Sequence, residues 1–253
     1  MPNQPEVRII GITGIPEVPA GSDVASMLIA AARAQGTPLE GGDVLVVTQK
    51  IVSKAEGRVV EAKSIVPSEF ALSIAKQYDK DPHVVEAVLR ESRRIVRMDR
   101  GVIIAESRLG HISANAGVDT SNLRERGQIA MLPEDPDRWC RETREAVRRQ
   151  AGVDVAVIMS DTFGRPWREG LTDVAIGLAG MSPVIDYRGQ PDPAGMVLHA
   201  SVLAVADELA GAAELVIGKF SRNPAAIIRG YAYPKGEGRA TDLQRAPDKD
   251  LFR

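Results

Sequence analysis

One stretch of the chain constrains the fold more than any other, residues 153–168, which read VDVAVIMSDTFGRPWR. Its first half, residues 155–159, is an unbroken β-branched and apolar run of strand length, which is typical of a strand buried on both faces. Gly164 and Pro166 disfavour regular structure, so the pattern predicts a loop over residues 160–168. We therefore expect a fold built around a buried central strand that ends in polar residues.

The predicted loop after this strand concentrates side chains that bind cations and phosphate. It contains the carboxylate of Asp161, the hydroxyl of Thr162 and the guanidinium groups of Arg165 and Arg168. Mg²⁺ in proteins is usually held by one or two carboxylates together with phosphate oxygens, and arginine forks bind phosphate or carboxylate. The alternative is a polar strand end in which Asp161 forms a local turn and the arginines are solvated. This stretch alone leaves both interpretations open.

A second predicted buried strand, residues 44–48, also ends in polar residues. It is followed by Gln49, Lys50 and Lys54, and the two lysines are candidate phosphate contacts. Lysines in a loop are more often solvated surface residues, so this segment by itself does not define a site.

A third predicted strand, residues 102–106, precedes the segment 111–122, which reads HISANAGVDTSN. Its small residues and oxygen-bearing side chains make it a second candidate ligand loop, although Asp119 or Ser121 could instead cap the next element. Strands that end in loops rich in Gly, Lys, Arg, Asp and Thr suit a polyanionic nucleotide with a divalent cation. Catalysis at such a site would depend on positioning and charge neutralisation.

The remaining patterns predict elements that surround these segments. Apolar spacing predicts helices over residues 24–35, 67–78, 82–94, 138–150 and 201–213 and short strands over residues 7–12 and 225–229. The glycine-spaced segment 170–180 indicates tight packing or a backbone close to a ligand. Residues 231–253 are predicted to form a polar, poorly patterned tail.

Composition excludes several functional classes. The net charge is -2, with 32 basic and 34 acidic residues, so no overall field favours nucleic acid or an anionic membrane. Cys140 is the single cysteine, which excludes an intrachain disulfide and thiolate zinc clusters and fits a reducing compartment. The sequence has no Walker A, Rossmann or Gly-x-Ser-x-Gly motif and no apolar run of membrane-spanning length. We expect a cytoplasmic protein that binds neither nucleic acid nor membrane.

Three motifs in a fixed order carry a family resemblance. Residues 47–58 read VTQKIVSKAEGR, residues 115–122 read NAGVDTSN, and residues 160–168 read SDTFGRPWR. Together they resemble the coenzyme F420:L-glutamate ligase family, and the likeness extends over nearly the whole chain. The last residues, 246–253, resemble the end of the ligase half of bacterial two-domain relatives. The resemblance implies a single ligase domain over residues 1–253, which could divide into two subdomains.

The resemblance also implies a fold and a reaction. Relatives have an unusual α+β fold with a mixed sheet and act as interlocked homodimers. They are GTP-dependent ligases that add L-glutamate to the lactyl carboxylate of coenzyme F420-0 and then add γ-linked glutamates, through an acyl phosphate. They use Mg²⁺ or Mn²⁺, sometimes together with K⁺.

The family's site residues transfer to this chain position by position. Its metal ligands fall on Asp119, Asp161 and Thr162. Its GTP contacts fall on Gly14, Ile15, Pro16, Glu17, Gln49, Lys50, Lys54, Asn122, Ile217 and Gly218. Asp161, Arg165 and Lys219 are the residues that we assign to catalysis.

The sequence departs from the family at one position. Archaeal relatives have an acidic metal ligand just after the glycine of the last nucleotide loop, where this chain has Lys219 in a loop about one residue shorter. We hypothesise that the Lys219 ammonium replaces the charge of one metal ion near the phosphates. In the alternative, Lys219 points to solvent and another residue completes the metal shell.

Arg165, Trp167 and Arg168 are assigned to the acceptor substrate. The arginines would bind its phosphodiester or carboxylates, and Trp167 would stack on the deazaflavin or guanine ring unless it fills the core. Two other functions stay open, a nucleotide-dependent amide ligase with a different acceptor and a nucleotide-binding protein without catalysis.

Overall fold

The central strand lies inside a five-stranded mixed sheet. A computed structural model describes residues 5–121, 123 and 127–250 of the chain. The sheet contains β1 (Arg8–Gly11), β2 (Val44–Thr48), β8 (Ala156–Arg165), β9 (Arg168–Ala179) and β12 (Ala225–Arg229), in the order β1-β12-β2-β8-β9. β2 and β8 run parallel, and the other neighbours run antiparallel. The predicted α+β class with a mixed sheet is confirmed, whereas the homodimer stays a prediction.

Helices cover both faces of this sheet because its strands are apolar on both faces. The helices of this part are α1 (Val24–Ala34), α2 (Gln49–Ala55), α5 (Pro136–Ala151) and α6 (Val205–Ile217). α1, α2 and α5 pack with one set of strand side chains, including Leu45 and Val157. α6 packs with the alternate set, including Val46 and Ile158. This layered arrangement completely buries residues 155–159, as the apolar run predicted.

A separate hydrophobic core lies in the residues from β3 to β7, which we call the small lobe. Its elements are β3 (Val59–Glu61), α3 (Glu69–Tyr78), α4 (Pro82–Glu91), β4 (Ser92–Asp99), β5 (Val102–Ser107), β6 (Ile112–Ala114) and β7 (Gln128–Ala130). β4, β5 and β6 form a three-stranded sheet, and β3 pairs with β7 as an antiparallel ribbon at the base of the lobe. The remaining short strands, β10 (Ile185–Asp186) and β11 (Val202–Leu203), pair with each other.

Several predicted boundaries were wrong for identifiable reasons. The loop predicted over residues 160–168 is strand as far as Arg165, because pairing with β9 extends the ladder and Pro166 falls in the hairpin turn. Residues 49–55 form a helix, since Ile51 and Val52 bury one face in the core. The helix predicted over residues 82–94 gives way to β4 at Ser92.

Other differences concern the C-terminal third of the chain. The predicted helix 201–213 is displaced to Val205–Ile217. The residues predicted to form a polar tail contribute Tyr231, Tyr233, Ala240 and Leu243 to the core on the α6 side of the sheet. Among the described residues, no helix combines the length and apolar character that are needed to cross a bilayer.

Tight packing explains the glycine-spaced segment. Gly177 lies in β9, where an added Cβ would be 2.5 Å from Cβ of Pro136 at the start of α5. Gly180 has φ of +82° and lies against the Arg144 side chain. Of the two explanations offered for this segment, the structure supports close packing at both glycines.

Candidate functional site

The parallel pair β2–β8 brings two predicted site segments together. Val44 to Thr48 pair in register with Ala156 to Ser160, so the carboxyl end of β2 lies beside Ser160, where β8 continues into the hairpin. Gln49 follows Thr48 and Asp161 follows Ser160, and Gln49 Nε2 lies 3.5 Å from Asp161 Oδ1, the outer limit of a hydrogen bond. In sheets with parallel strands, ligands commonly bind at the carboxyl ends of the strands.

The adjacent lysine of α2 contacts the small lobe. Lys50 Nζ lies 2.6 Å from Asp119 Oδ2 and donates a hydrogen bond to the Ser121 carbonyl oxygen at 2.9 Å. The Ser121 backbone N–H also donates to Asp119, so Asp119 forms a local turn and faces the site at the same time. Consecutive residues of one short helix therefore contact carboxylates from two distant segments. Asn122, a predicted GTP contact, lies outside the described residues.

The two carboxylates have opposite electrostatic environments. Burial, together with the charges of Asp173 and Asp119, raises the pKa of Asp161 to about 7, although hydrogen bonds from Thr162 and Gln49 act to lower it. Burial also acts to raise the pKa of Asp119, but the hydrogen bonds from Lys50 and Ser121 outweigh it and lower that pKa. Asp119 and Asp161 are thus close enough to interact electrostatically.

A hydroxyl–carboxylate cluster lies next to Asp161 on the β8–β9 hairpin. Thr162 pairs directly with Asp173, and its Oγ1 donates to Asp173 Oδ1 at 2.7 Å. Ser160, two residues away and on the same face, donates to Asp173 Oδ2 at 2.9 Å. Lys219 follows the C-terminal end of α6, and its Nζ donates to Thr162 Oγ1 at 2.9 Å. Lys219 therefore reaches a predicted metal ligand even though its side chain is exposed.

Sequence reasoning missed Asp173 because the residues around it were assigned to a loop and a glycine-spaced segment. A regular two-residue hairpin at Pro166 and Trp167 would pair Thr162 with Leu171. The register shift between Gly164 and Arg165 places Asp173 opposite Thr162 instead, so the position of Asp173 depends on an irregularity that the sequence did not indicate. Asp173 is 5% exposed, and its burial is compatible with a carboxylate because two hydroxyls donate hydrogen bonds to it.

The loop after β1 packs beside α2. Lys54 Nζ lies 2.6 Å from Glu17 Oε1, and Ile15 packs against the core, so this loop is next to the Gln49–Ala55 helix. Gly14 has φ of +74°, a conformation that favours glycine. Pro16 is exposed. At the other predicted nucleotide segment, Ile217 is the buried last residue of α6 and Gly218 caps the helix.

The predicted acceptor residues lie apart from this cluster at the hairpin tip. Arg165 is four residues past Asp161, roughly 13 Å along the strand, and its guanidinium donates to the Glu169 and Gly170 carbonyl oxygens. Trp167 is 72% exposed, which excludes a role as a core residue. The tip, including Arg168, borders an open concavity of about 580 Å³. The structure does not bring Arg165 to the carboxylates with which it was grouped.

The residues at the sheet edge fit a divalent cation. Within residues 5–121, 123 and 127–250, no three His, Cys, Asp or Glu side chains form a ready metal cluster. The predicted ligands Asp119, Asp161 and Thr162 are all hard oxygen donors, and neighbouring carboxylates disfavour the charged form of Asp161. A cation would relieve that repulsion, with phosphate oxygens to complete its coordination.

Known proteins resemble the chain over most of its length. The F420-0:gamma-glutamyl ligase family model matches residues 13–230. A coenzyme F420:L-glutamate ligase from Methanothermobacter thermautotrophicus is 43% identical over 98% of this chain and 99% of its own. The ligase of that name from Methanopyrus kandleri is 43% identical over 98% of both chains, and that from Methanocaldococcus jannaschii is 39% identical over 85% of this chain and 86% of its own.

Proposed function

Since the chain belongs to the F420-0:gamma-glutamyl ligase family, we propose that it joins L-glutamate to the lactyl carboxylate of coenzyme F420-0 and then adds γ-linked glutamates, with GTP as co-substrate. One observation carries this proposal beyond family membership. Consecutive residues of α2, Gln49 and Lys50, contact Asp161 and Asp119, so two carboxylates and a lysine lie together at the sheet edge. Such a grouping suits phosphoryl transfer better than simple binding.

The reaction proceeds in two steps. A carboxylate is a poor acyl donor, so a carboxylate oxygen of the acceptor attacks the γ-phosphorus of GTP, the bond to the β-phosphate oxygen breaks, and GDP leaves. The glutamate amine then attacks the carbonyl carbon of the acyl phosphate, loses a proton and expels phosphate. The intermediate hydrolyses readily, so the site must exclude water.

Residues of this chain supply charge and position for both steps. Lys50, Lys54 and Lys219 provide positive charge for the phosphates, and the loop that begins at Gly14 provides backbone groups next to α2. Asp161, Asp119 and Thr162 would hold Mg²⁺ or Mn²⁺, which when bound screens the negative charge of the phosphates. K⁺ would add monovalent charge in the same way.

The proposed activity is tested directly with the purified protein. Incubation with GTP, Mn²⁺, L-glutamate and coenzyme F420-0 should yield glutamylated product together with GDP and phosphate, as measured by mass spectrometry and phosphate release. Product formed with other acceptors but not with F420-0 would indicate a different amide ligase. Nucleotide binding without product or phosphate would indicate a protein that binds but does not catalyse. ATP in place of GTP tests the nucleotide preference.

Removal of the Arg165 guanidinium should weaken acceptor binding. We expect Arg165→Ala to raise the KM for F420-0 about tenfold, a loss of one charged contact, and to leave the KM for GTP unchanged, because Arg165 lies far along the hairpin from Asp161. Initial-rate kinetics with each substrate varied in turn measure both constants. Arg138→Ala, which removes an arginine paired with Glu142 on the surface of α5, is the matched control. Unchanged acceptor kinetics would exclude Arg165 from the substrate site.

The position of Lys219 predicts the metal content of the site. Because its ammonium already contacts Thr162, we expect one Mn²⁺ per chain when the protein is saturated with nucleotide, and a second Mn²⁺ in Lys219→Glu, which restores the acidic residue of relatives. Anomalous scattering from crystals or metal analysis after gel filtration counts the ions. Two fully occupied ions in the unaltered protein would contradict the charge replacement.

A further inference from the structure

The Thr162 hydroxyl lies between two groups with opposite hydrogen-bonding capacity. The Lys219 ammonium can only donate, and the Asp173 carboxylate that faces Thr162 accepts. Lys219 Nζ is 2.9 Å from Thr162 Oγ1, and Oγ1 is 2.7 Å from Asp173 Oδ1. A hydroxyl has one proton, so that proton must point to Asp173 while an oxygen lone pair faces Lys219.

The structure fixes Asp173 in the orientation that this arrangement needs. Its second carboxylate oxygen accepts from the Ser160 hydroxyl at 2.9 Å, and its backbone N–H donates to Glu214 Oε2 of α6 at 3.1 Å. The side chain is almost fully buried and lies opposite Thr162 in the ladder. Each oxygen therefore accepts a hydroxyl proton, and these contacts keep the carboxylate turned towards Thr162.

We propose that Asp173 is a positioning residue that makes Thr162 solely a hydrogen-bond acceptor towards the site, so that the Thr162 hydroxyl binds a cation and not a phosphate oxygen. The cation is a divalent ion, and the Lys219 ammonium contacts the same hydroxyl in the metal-free protein. A phosphate oxygen would need a donated proton, and Asp173 already holds the one that Thr162 has. The inference concerns the site of the proposed ligase, but it makes a statement about cation binding that does not require turnover.

In the alternative, Asp173 has only a structural role and stabilises the β8–β9 hairpin. In that case its replacement would reduce stability without a specific effect on cation binding through Thr162. The two roles differ in one measurable respect, which is whether the effect of changing Asp173 depends on the presence of the Thr162 hydroxyl. A double-mutant cycle measures that dependence.

The cycle is read by binding of Mn²⁺ alone, measured by electron paramagnetic resonance of free Mn²⁺. We expect Asp173→Asn to weaken Mn²⁺ binding about 10- to 100-fold, because the amide lacks the negative charge and can turn its NH₂ group towards Thr162. Thr162→Val should weaken binding to a similar extent. The double variant should bind no more weakly than Thr162→Val, since Asp173 acts through the hydroxyl that valine lacks.

Two controls separate positioning from loss of structure. Thr162→Ser keeps the hydroxyl and should retain Mn²⁺ affinity, and Asp192→Asn, which changes an exposed aspartate that bonds only to nearby backbone, should leave Mn²⁺ affinity unchanged. Metal-free GDP binding and the unfolding midpoint of each variant show whether the fold is intact. Additive losses in the double variant, an unchanged affinity in Asp173→Asn, or no Mn²⁺ binding to the unaltered protein would overturn the proposal. Absence of ligase activity with the predicted coupling intact would refute the proposed function alone.

Discussion

Asp161→Asn is expected to abolish ligase activity and at the same time to stabilise the metal-free fold. The pKa of Asp161 is raised from 3.8 to about 7 by burial and by the neighbouring charges of Asp173 and Asp119. The folded protein therefore holds a proton on Asp161 that the unfolded chain releases above pH 4. Above pH 7 the ionised carboxylate opposes folding, by about 2–4 kcal/mol. Asparagine resembles the neutral acid, so the variant is not destabilised by an ionised carboxylate.

The raised pKa of Asp161 makes the stability gain of Asp161→Asn dependent on pH. A carboxylate with a raised folded-state pKa lowers stability as pH rises from about 4 to about 7, because the folded state binds more protons than the unfolded state. The difference between Asp161→Asn and the unaltered protein should be near zero at pH 4 and full at pH 8. Urea unfolding with EDTA present, followed by tryptophan fluorescence at both pH values, measures it. Equal stability at pH 8 would contradict the environment assigned to Asp161.

The catalytic loss should exceed the change in stability by a wide margin. Removal of a charged group that holds the cation and phosphates at the reaction centre is expected to reduce kcat at least about 10³-fold. Asp192→Asn, which changes an aspartate in the exposed turn before β11 that bonds only to nearby backbone, is the matched control and should keep full activity. If Asp161→Asn is both more stable and inactive, the aspartate lowers the stability of the protein and is needed for its function.

Gly177→Ala is expected to destabilise the protein by about 3 kcal/mol. Its Cβ would lie 2.5 Å from Cβ of Pro136 and 2.6 Å from the Pro136 carbonyl carbon, so α5 would have to move away from β9. That movement would also strain the hydrogen bond from Leu178 N–H to Asp137 at the start of the helix. The midpoint of urea or thermal unfolding measures the loss.

Gly164→Ala is the matched control for this change. Gly164 lies on the same hairpin, has no positive φ, and an added Cβ would be 3.9 Å from its nearest neighbour, Leu171. The free energy of unfolding of Gly164→Ala should differ from that of the unaltered protein by no more than about 0.5 kcal/mol. Similar losses in the two variants would mean that removing a glycine from the hairpin, and not contact with α5, determines the cost.

The central sheet was predictable because its strands have strong local signals. Residues 44–48 and 225–229 were predicted with the observed bounds, since short apolar β-branched runs between turns have few alternative structures. The hairpin was not predicted, because Gly164 and Pro166 indicate a break without indicating whether the chain on each side pairs. Strand pairing is a long-range interaction, so local sequence patterns do not indicate which segments pair.

Some residues of the candidate site could also be predicted from the sequence, and others could not. Asp119, Asp161, Thr162 and Lys50 could be named from motifs in the sequence, and the structure brings them to one edge of the sheet. Asp173 could not, because its role depends on the register between β8 and β9. The partners of Lys54 and Lys219 also follow only from the packing of the loop after β1 and the end of α6.

The ribbon at the base of the small lobe has a consequence for how the protein opens. Val59 pairs with Ala130, so the chain enters and leaves the lobe at neighbouring positions and the lobe has its own core. The lobe can therefore unfold and refold as a unit while the five-stranded sheet stays intact. Amides of the lobe core, such as that of Ile103, should exchange with deuterium at a lower free energy than that of Ile158. Unfolding of the lobe would separate Asp119 from Lys50. The candidate site is therefore complete only while the lobe is folded.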